Sequence, residues 1–270
     1  MKTITKFLIN LTSVCSIVLI ATLNASQLAV VGQPTPDVDG KPITQSGGPR
    51  FVQPREDIDV RPPDQPIRIV RGGCGSISQL SLTALVPKNK IGLSVSDYPT
   101  RTVSDYPTLF FYLPQTEAEL AEFTLEDQSS NQIYKQDVTI SNLSGVIGVS
   151  IPANKNVPPL EVGKSYTWKF TVICDSQDRS TDLLETGTVR RVELSADIRS
   201  QLEKADPRQK TVIYAENGIW QDALSTLVAD RRANPNDAEL AADWKILLDS
   251  VKLGEIAAEP IVQTETQPQP

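Results

Sequence analysis

The chemistry open to this chain is restricted, because its 270 residues include no histidine. Histidine is the commonest general base and a very common metal ligand in proteins. Its absence excludes Ser-His-Asp and Cys-His catalysis and leaves carboxylate, lysine or tyrosine chemistry. Since carboxylates are abundant on acidic proteins without being catalytic, we assign no catalytic residue, no cofactor and no metal site. The expectation is a protein that is not an enzyme.

Cys74 and Cys174 are the cysteines that remain once the N-terminal apolar segment is set aside. In an oxidising compartment an even count predicts one disulfide between them. By the chain-entropy model, a closed loop of about 100 residues is worth up to ~4.7 kcal/mol. The alternative is two separate buried thiols.

Asp175, Arg179 and Ser180 follow the clearest predicted strand and form a candidate ligand-contact loop, because loops at the ends of sandwiches often bind ligands. An Asp-Arg pair at this spacing can equally bridge the loop to itself, which is the commoner arrangement. The glycine-rich segment Arg71–Ser76 lacks the lysine and the spacing of a phosphate-binding loop.

The N-terminus has the pattern of a signal peptide over residues 1–25. Lys2 and Lys6 precede an apolar run from Phe7 to Leu23 that contains no charge. This predicts export to the periplasm or the extracellular space. The alternative is an uncleaved anchor, the one case in which we expect contact with a membrane. The formal net charge of -7 disfavours nucleic acid as a partner.

Two segments have the composition of disordered chain. Residues 26–69 are rich in proline and glycine and are predicted to be a linker. Residues 257–270 are predicted to be a disordered tail.

Between them, residues 70–194 predict an immunoglobulin-like antiparallel β-sandwich. Short runs alternate between apolar and polar residues, as half-buried strands do, and turn residues separate them. The predicted strands are Ser76–Val86, Thr108–Leu113, Ala121–Glu126, Ile133–Ile140, Ile147–Ile151, Tyr166–Cys174 and Thr186–Glu193. The sequence VSDYPT occurs twice, at Val95–Thr100 and Val103–Thr108, and is predicted to lengthen the loop before Leu109.

Residues 195–256 change to helical periodicity, so the predicted fold is mostly β with a small C-terminal α region. Ser195 and Asp206 are predicted N-caps, and Asn236 is predicted to cap the fourth helix, which is predicted to end at Gly254. The third and fourth helices are predicted to form a hairpin that resembles one tetratricopeptide unit, and one unit cannot form a peptide groove. We expect these helices to pack on the sandwich.

Several short segments between about residues 70 and 260 form a recognisable set. They are Leu82–Pro87, Phe110–Pro114, Ala121–Phe123, Pro159–Lys164 with Tyr166 and Trp168, Cys174-Asp175 with Arg179-Ser180, and Gly218–Trp220 with Asp222–Leu224. Together they resemble a family of exported cyanobacterial proteins described as domain of unknown function 928. The resemblance implies export and a cyanobacterial source, without any catalytic residues.

Three functions are compatible with these patterns. The leading hypothesis is a non-enzymatic cell-envelope module that binds another envelope component, protein or polysaccharide. The alternative is a hydrolase that acts on envelope polysaccharide through two carboxylates. A chaperone-like adaptor is the third, and it requires an exposed apolar stripe around Trp220.

The intact mass of the native protein, before and after thiol alkylation, checks both the signal peptide and the disulfide. We expect a mass that lacks about 25 N-terminal residues and does not increase on alkylation. A full-length mass with two or more alkylated thiols would instead place the domain in a reducing compartment.

Overall fold

The computed structural model describes residues 47–54, 74, 80–87, 99–153 and 157–263. All of them belong to one of two compact units, and the other unit, Met1–Thr44, lies outside the described residues. The predicted signal peptide, the predicted linker apart from residues 47–54, and all of the glycine-rich segment except Cys74 lie outside them as well.

The described elements are eight strands, four α-helices and two short 3₁₀ helices, so the fold is mixed α and β. The strands are β1 Thr83–Ala84, β2 Thr100–Thr102, β3 Thr108–Leu113, β4 Leu120–Glu126, β5 Gln132–Thr139, β6 Gly145–Ser150, β7 Ser165–Ile173 and β8 Leu183–Arg191. The helices are α1 Ala196–Lys204, α2 Pro207–Glu216, α3 Trp220–Ala233 and α4 Ala238–Ser250, and the 3₁₀ helices are Arg179–Thr181 and Gly254–Ala258. None of the described helices is both long and apolar enough to cross a membrane.

The strands form two sheets, one of three strands in the order β1-β3-β6 and one of five in the order β2-β8-β7-β4-β5. Every pairing is antiparallel except that of β2 with β8. The period-two patterns predicted seven of these strands, and their bounds differ from the prediction chiefly at β1 and at the start of β8. In β7 the apolar residues are buried in alternation, as expected of a strand with one face on a core.

Strand β2 was missed, and the predicted loop before Leu109 is correspondingly shorter. The sequence Thr-Arg-Thr has no apolar alternation. Thr100 and Thr102 are nevertheless buried, because their side chains hydrogen-bond to helix α3. A strand buried through polar contacts gives no signal in a hydrophobic pattern.

The two sheets share a core that is centred on Phe111 of β3. Its ring stacks on Phe170 of β7, with centroids 4.3 Å apart, and meets Trp168 edge-on at 5.4 Å and Phe123 of β4 at 6.4 Å. These contacts between inward-facing rings hold one sheet against the other.

The helices cover the other face of the three-stranded sheet. Phe110 and Tyr112 alternate with the core residues of β3 and lie in one buried cluster with residues of α3 and α4. Trp220, the first residue of α3, is fully buried in this cluster. The indole N–H of Trp220 donates a hydrogen bond to the carbonyl of Leu85 at 2.7 Å. The expectation that these helices pack on the β region is confirmed, and Trp220 is fully buried, so it contributes to no exposed apolar stripe of the kind that an adaptor requires.

The predicted N-caps Ser195 and Asp206 are confirmed, since each accepts a hydrogen bond from a backbone N–H in the first turn. The prediction for the fourth helix was wrong by one residue. Asp237, not Asn236, is the N-cap, because its carboxylate accepts from the backbone N–H groups of Glu239 and Leu240.

Gly254 does not end the fourth helix. Helix α4 ends at Ser250, and Lys252 already has the left-handed φ of 63° that takes the chain out of the helix. Gly254 begins the 3₁₀ helix that follows.

Two segments predicted to be disordered are in part ordered. Phe51 packs edge-on against Trp220 at 5.2 Å, and the backbone N–H of Val52 donates to Ala215 in α2. At the other end, the chain around Pro260 runs beside β6, where Val146 exchanges backbone hydrogen bonds with it. Composition predicted disorder in both places. Phe51 is ordered because it packs on the apolar surface at Trp220, and the chain around Pro260 is ordered because it bonds to the edge of β6.

Gly187 of β8 provides a test of the sheet core. A Cβ atom at this position would overlap the indole ring of Trp168, which is fully buried and has no room to move. We expect Gly187→Ala to lower the free energy of unfolding by roughly 1–3 kcal/mol, as overpacking does. The measurement is urea unfolding. Gly47→Ala is the matched control, because a Cβ atom there meets nothing within 4 Å. Equal stability of the two variants would contradict this packing.

Candidate functional site

The candidate ligand-contact loop between β7 and β8 is bound mainly to itself. Arg179 forms an ion pair with Asp182, which is 8% exposed and also accepts from the backbone N–H of Cys174. Asp175 accepts from a backbone N–H two residues on, and Ser180 donates to Asp178. The partner of Arg179 is therefore Asp182 and not Asp175. The loop is thus bridged to itself by an ion pair, as in the alternative to ligand contact, but the acid is Asp182.

The structure contains the predicted disulfide between Cys74 and Cys174, whose Cα atoms are 4.8 Å apart. The backbone carbonyl of Cys74 also accepts hydrogen bonds from the hydroxyl of Thr116 and the N–H of Glu117. The bond thus ties the end of β7 to the segment before β4, and its role here is structural.

A polar pocket of about 170 Å³ lies between the sheet edge at β2 and helices α2 and α3. The second copy of the duplicated sequence forms one wall of it and helix α3 forms another. Its lining residues are Thr102, Ser104, Tyr106, Pro107, Thr108, Tyr214, Gln221, Asp222, Ser225 and Thr226. We call this the joint pocket.

Asp222 is the carboxylate of the joint pocket. Its Oδ2 accepts hydrogen bonds from the hydroxyl of Thr102 at 2.8 Å and from the backbone N–H of Val103 at 3.0 Å. Burial raises the pKa of Asp222 to about 6, more than these two hydrogen bonds lower it. No lysine or arginine is among the described residues that line the pocket. The charge of Asp222 is therefore met by hydrogen bonds alone.

Gln221 is only 1% exposed, and one of its two polar atoms is satisfied. Its Nε2 donates to the hydroxyl of Thr100 at 3.0 Å, and that hydroxyl donates in turn to the carbonyl of Thr188. Because the hydroxyl proton of Thr100 is used in this way, the amide must present its NH₂ group to Thr100. Its Oε1 then finds no hydrogen-bond partner in the described part of the chain. Leaving such a buried acceptor unpaired costs about 1–3 kcal/mol.

Sequence reasoning did not single out Gln221 or Asp222 as site residues. Acidic residues are common in the first turn of a helix, where they face its positive end, so Asp222 carried no distinctive signal. The available signal was a polar pair directly after Trp220, on a helix face that packs against the sandwich.

A second pocket of about 180 Å³ lies at one end of the five-stranded sheet and contains two carboxylates. Asp127 accepts from the side chain and backbone of Asn131, and these hydrogen bonds lower its pKa. Glu161 forms an ion pair with Lys164 at 2.8 Å. The lowered pKa of Asp127 does not suit a protonated general acid. Among the described residues, no group of three or more potential metal ligands lies together.

The raised pKa of Asp222 predicts a pH dependence of stability. The native state holds the proton of Asp222 up to about pH 6, whereas an unfolded aspartate loses it near 3.8. Stability from this group is therefore greatest below pH 4 and falls, by up to about 3 kcal/mol, as the pH rises through 6. Tyr214, which also lines the pocket, stays neutral in this range because burial raises its pKa.

We expect Asp222→Asn to abolish this part of the pH dependence and to be more stable than the wild type at pH 7. The amide oxygen can accept both hydrogen bonds without a buried charge. The measurement is urea unfolding from pH 4 to pH 8, taken as the difference from the wild type so that other acids cancel. Asp230→Asn, two turns along the same helix, is the control. Parallel curves for the wild type and Asp222→Asn would contradict the prediction.

Similarity to known proteins assigns the chain to a family. No curated protein matches the chain. Among solved structures, it is similar to astrotactin-2, described as a conserved vertebrate-specific and perforin-like membrane protein involved in neuronal development, at 16% identity and a TM-score of 0.24. That similarity covers 64% of this chain and 38% of astrotactin-2, and it is too low to indicate a shared fold.

Residues 68–261 match the family described as Domain of Unknown Function (DUF928). The match includes both described sheets, the four described helices and every described residue that lines the joint pocket. The chain therefore belongs to the DUF928 family.

Proposed function

We propose that this chain is an exported, non-enzymatic binding module of the cell envelope and that the joint pocket is its binding site. The observation that carries the proposal is the unpartnered amide oxygen of Gln221 beside the buried carboxylate of Asp222. An unpartnered acceptor beside a carboxylate whose charge no basic residue of the described lining offsets suits a ligand that donates hydrogen bonds. The partner is an envelope component, protein or polysaccharide, and not a nucleic acid.

Export is supported by the N-terminal pattern and by the disulfide, which suits an oxidising compartment. We infer a periplasmic or extracellular location and, from the family resemblance, a cyanobacterial source. Contact with a membrane is expected only if the signal segment remains uncleaved.

We also infer that the two sheets are an immunoglobulin-like sandwich. Support comes from the strand orders β1-β3-β6 and β2-β8-β7-β4-β5, in which the hairpin β7-β8 lies beside β4 and β3 pairs with β6 in the opposite sheet. The parallel pairing of β2 with β8 is compatible with a first strand that is divided between the sheets.

Helices α3 and α4, joined by the connector 234–237, are the hairpin that we compare with a tetratricopeptide unit. Ala223 of α3 is fully buried, and Ala215 and Gly218, which precede α3, belong to the same pattern. A single unit of this kind supports packing on the sandwich rather than a peptide groove.

A hydrolase that acts on envelope polysaccharide is the second candidate, and the pKa of Asp222 favours it. A carboxyl group that titrates near 6 has the protonation of a general acid. A two-carboxylate mechanism also needs a second acid across the cleft, and Asp222 is the one carboxylate among the described residues that line the joint pocket. Binding therefore needs fewer carboxylates at this site than hydrolysis does.

The test of the binding proposal is retention of tagged mature protein on envelope fractions, with protein and polysaccharide fractions assayed separately. We expect retention by the folded chain and not by a reduced, denatured control. Ser225→Phe fills the joint pocket and is expected to abolish retention. Ala229→Phe adds the same ring at an exposed position of the same helix and is expected to leave retention unchanged.

No retention above the denatured control would contradict a binding function. Retention that Ser225→Phe leaves intact would place the binding surface elsewhere on the molecule. Release of reducing ends from the polysaccharide fraction, lost in Asp222→Asn, would favour the hydrolase instead.

A further inference from the structure

The chemistry of the joint pocket narrows the ligand that it can hold. We propose that the joint pocket binds one uncharged sugar ring, whose hydroxyls donate to Gln221 and Asp222 and accept from the pocket hydroxyls. This inference rests on the proposed binding function and names its ligand class.

The volume of the joint pocket suits a single ring. It is about 170 Å³, and a cavity of about 150 Å³ is large enough for benzene. One six-membered sugar ring therefore fills the space, with its substituents at the open side. Longer segments of a polysaccharide chain would extend beyond it.

The charge of the lining disfavours an anion. The lining includes one carboxylate, and none of its residues is a lysine or arginine that could offset a phosphate or a sugar acid. An anionic ligand would face Asp222 in a partly desolvated site, where like charges repel strongly.

The hydrogen-bonding groups of the lining distinguish a sugar from an ammonium ligand. The lining contains one unpartnered acceptor, Gln221 Oε1, and one carboxylate, Asp222, whose Oδ2 accepts two hydrogen bonds but whose charge no basic residue of the described lining offsets. It also contains hydroxyl groups, which can donate as well as accept. Thr102 donates to Asp222, Tyr106 donates to the carbonyl of Val157, and Thr108 pairs with Ser150. Ser104, Tyr214, Ser225 and Thr226 are the hydroxyls of the described lining that remain for a ligand.

An ammonium ion has donors only, so it leaves the donor capacity of these hydroxyls unmet. A sugar hydroxyl is both donor and acceptor, so it can pair with the acceptors and with the hydroxyl donors of the lining. Tyr106 and Tyr214 add aromatic surface, which offers an apolar face with a polar tip. A ring with apolar C–H faces and a hydroxyl rim matches that combination.

The experiment uses the full mature chain with its disulfide intact. The probes are a panel of neutral monosaccharides and their short oligosaccharides, with ethanolamine and glucuronate as the cationic and anionic comparisons. Binding is detected by ligand-observed NMR, and dissociation constants are measured by calorimetry. We expect at least one neutral sugar to bind more tightly than both charged probes, and the oligosaccharides to compete for the same site.

Asp222→Asn is expected to weaken sugar binding roughly tenfold, as loss of a charged hydrogen bond does. Ser225→Phe is expected to abolish it, and Asp230→Asn and Ala229→Phe to leave it unchanged. Because Asp222→Asn is expected to be more stable than the wild type at pH 7, a loss of affinity cannot be attributed to unfolding.

Tighter binding of ethanolamine or glucuronate, or sugar binding that Ser225→Phe leaves intact, would overturn the inference. So would the absence of any sugar binding by a chain that is still retained on envelope fractions through the joint pocket. In that case the binding function would stand and the ligand class would be wrong. If retention on envelope fractions also fails, the binding function itself is contradicted.

Discussion

The attachment of the helices to the sheets depends on three consecutive residues at the start of helix α3. Trp220 donates to the carbonyl of Leu85, Gln221 donates to Thr100, and Asp222 accepts from Thr102 and Val103. Trp220 therefore reaches the residue after β1, whereas Gln221 and Asp222 both reach β2. The apolar packing around Trp220 supplies the buried apolar area of this contact. The two polar residues fix the position of β2 relative to the helix.

This attachment explains why the sheet edge at β2 exists. A three-residue polar strand that pairs on one side with β8 has little to hold it in place. Contacts from α3 cover its other side and satisfy the buried hydroxyls of Thr100 and Thr102. The joint pocket is the space left between this edge, the duplicated segment and the helix. The pocket and the attachment of the helices are thus built from the same side chains.

Local patterns in the sequence predicted the parts of the fold that depend on local physics. Period-two alternation found β3 to β8, because half-buried strands need it, and the caps at Ser195 and Asp206 were found because their side chains bond within the same turn. The disulfide followed from an even cysteine count. In contrast, β2 and the docking of Phe51 depend on partners more than 100 residues away. No local pattern records such contacts, so neither these elements nor the joint pocket between them could be predicted.

The negative charge of Asp222 is not explained by the architecture. The hydrogen bonds from Thr102 and Val103 need an acceptor at this position, and the amide oxygen of an asparagine would provide one. A carboxylate in the same place carries a desolvation cost that raises its pKa, and no basic residue of the described pocket lining offsets it. The amide of Gln221 adds an unpartnered acceptor one residue away. A desolvated charge and an unpartnered acceptor both lower stability, and the attachment of β2 requires neither of them; such features are typical of a site arranged for something other than folding. They are the reason, more than the shape of the pocket, that we propose the joint pocket as a binding site.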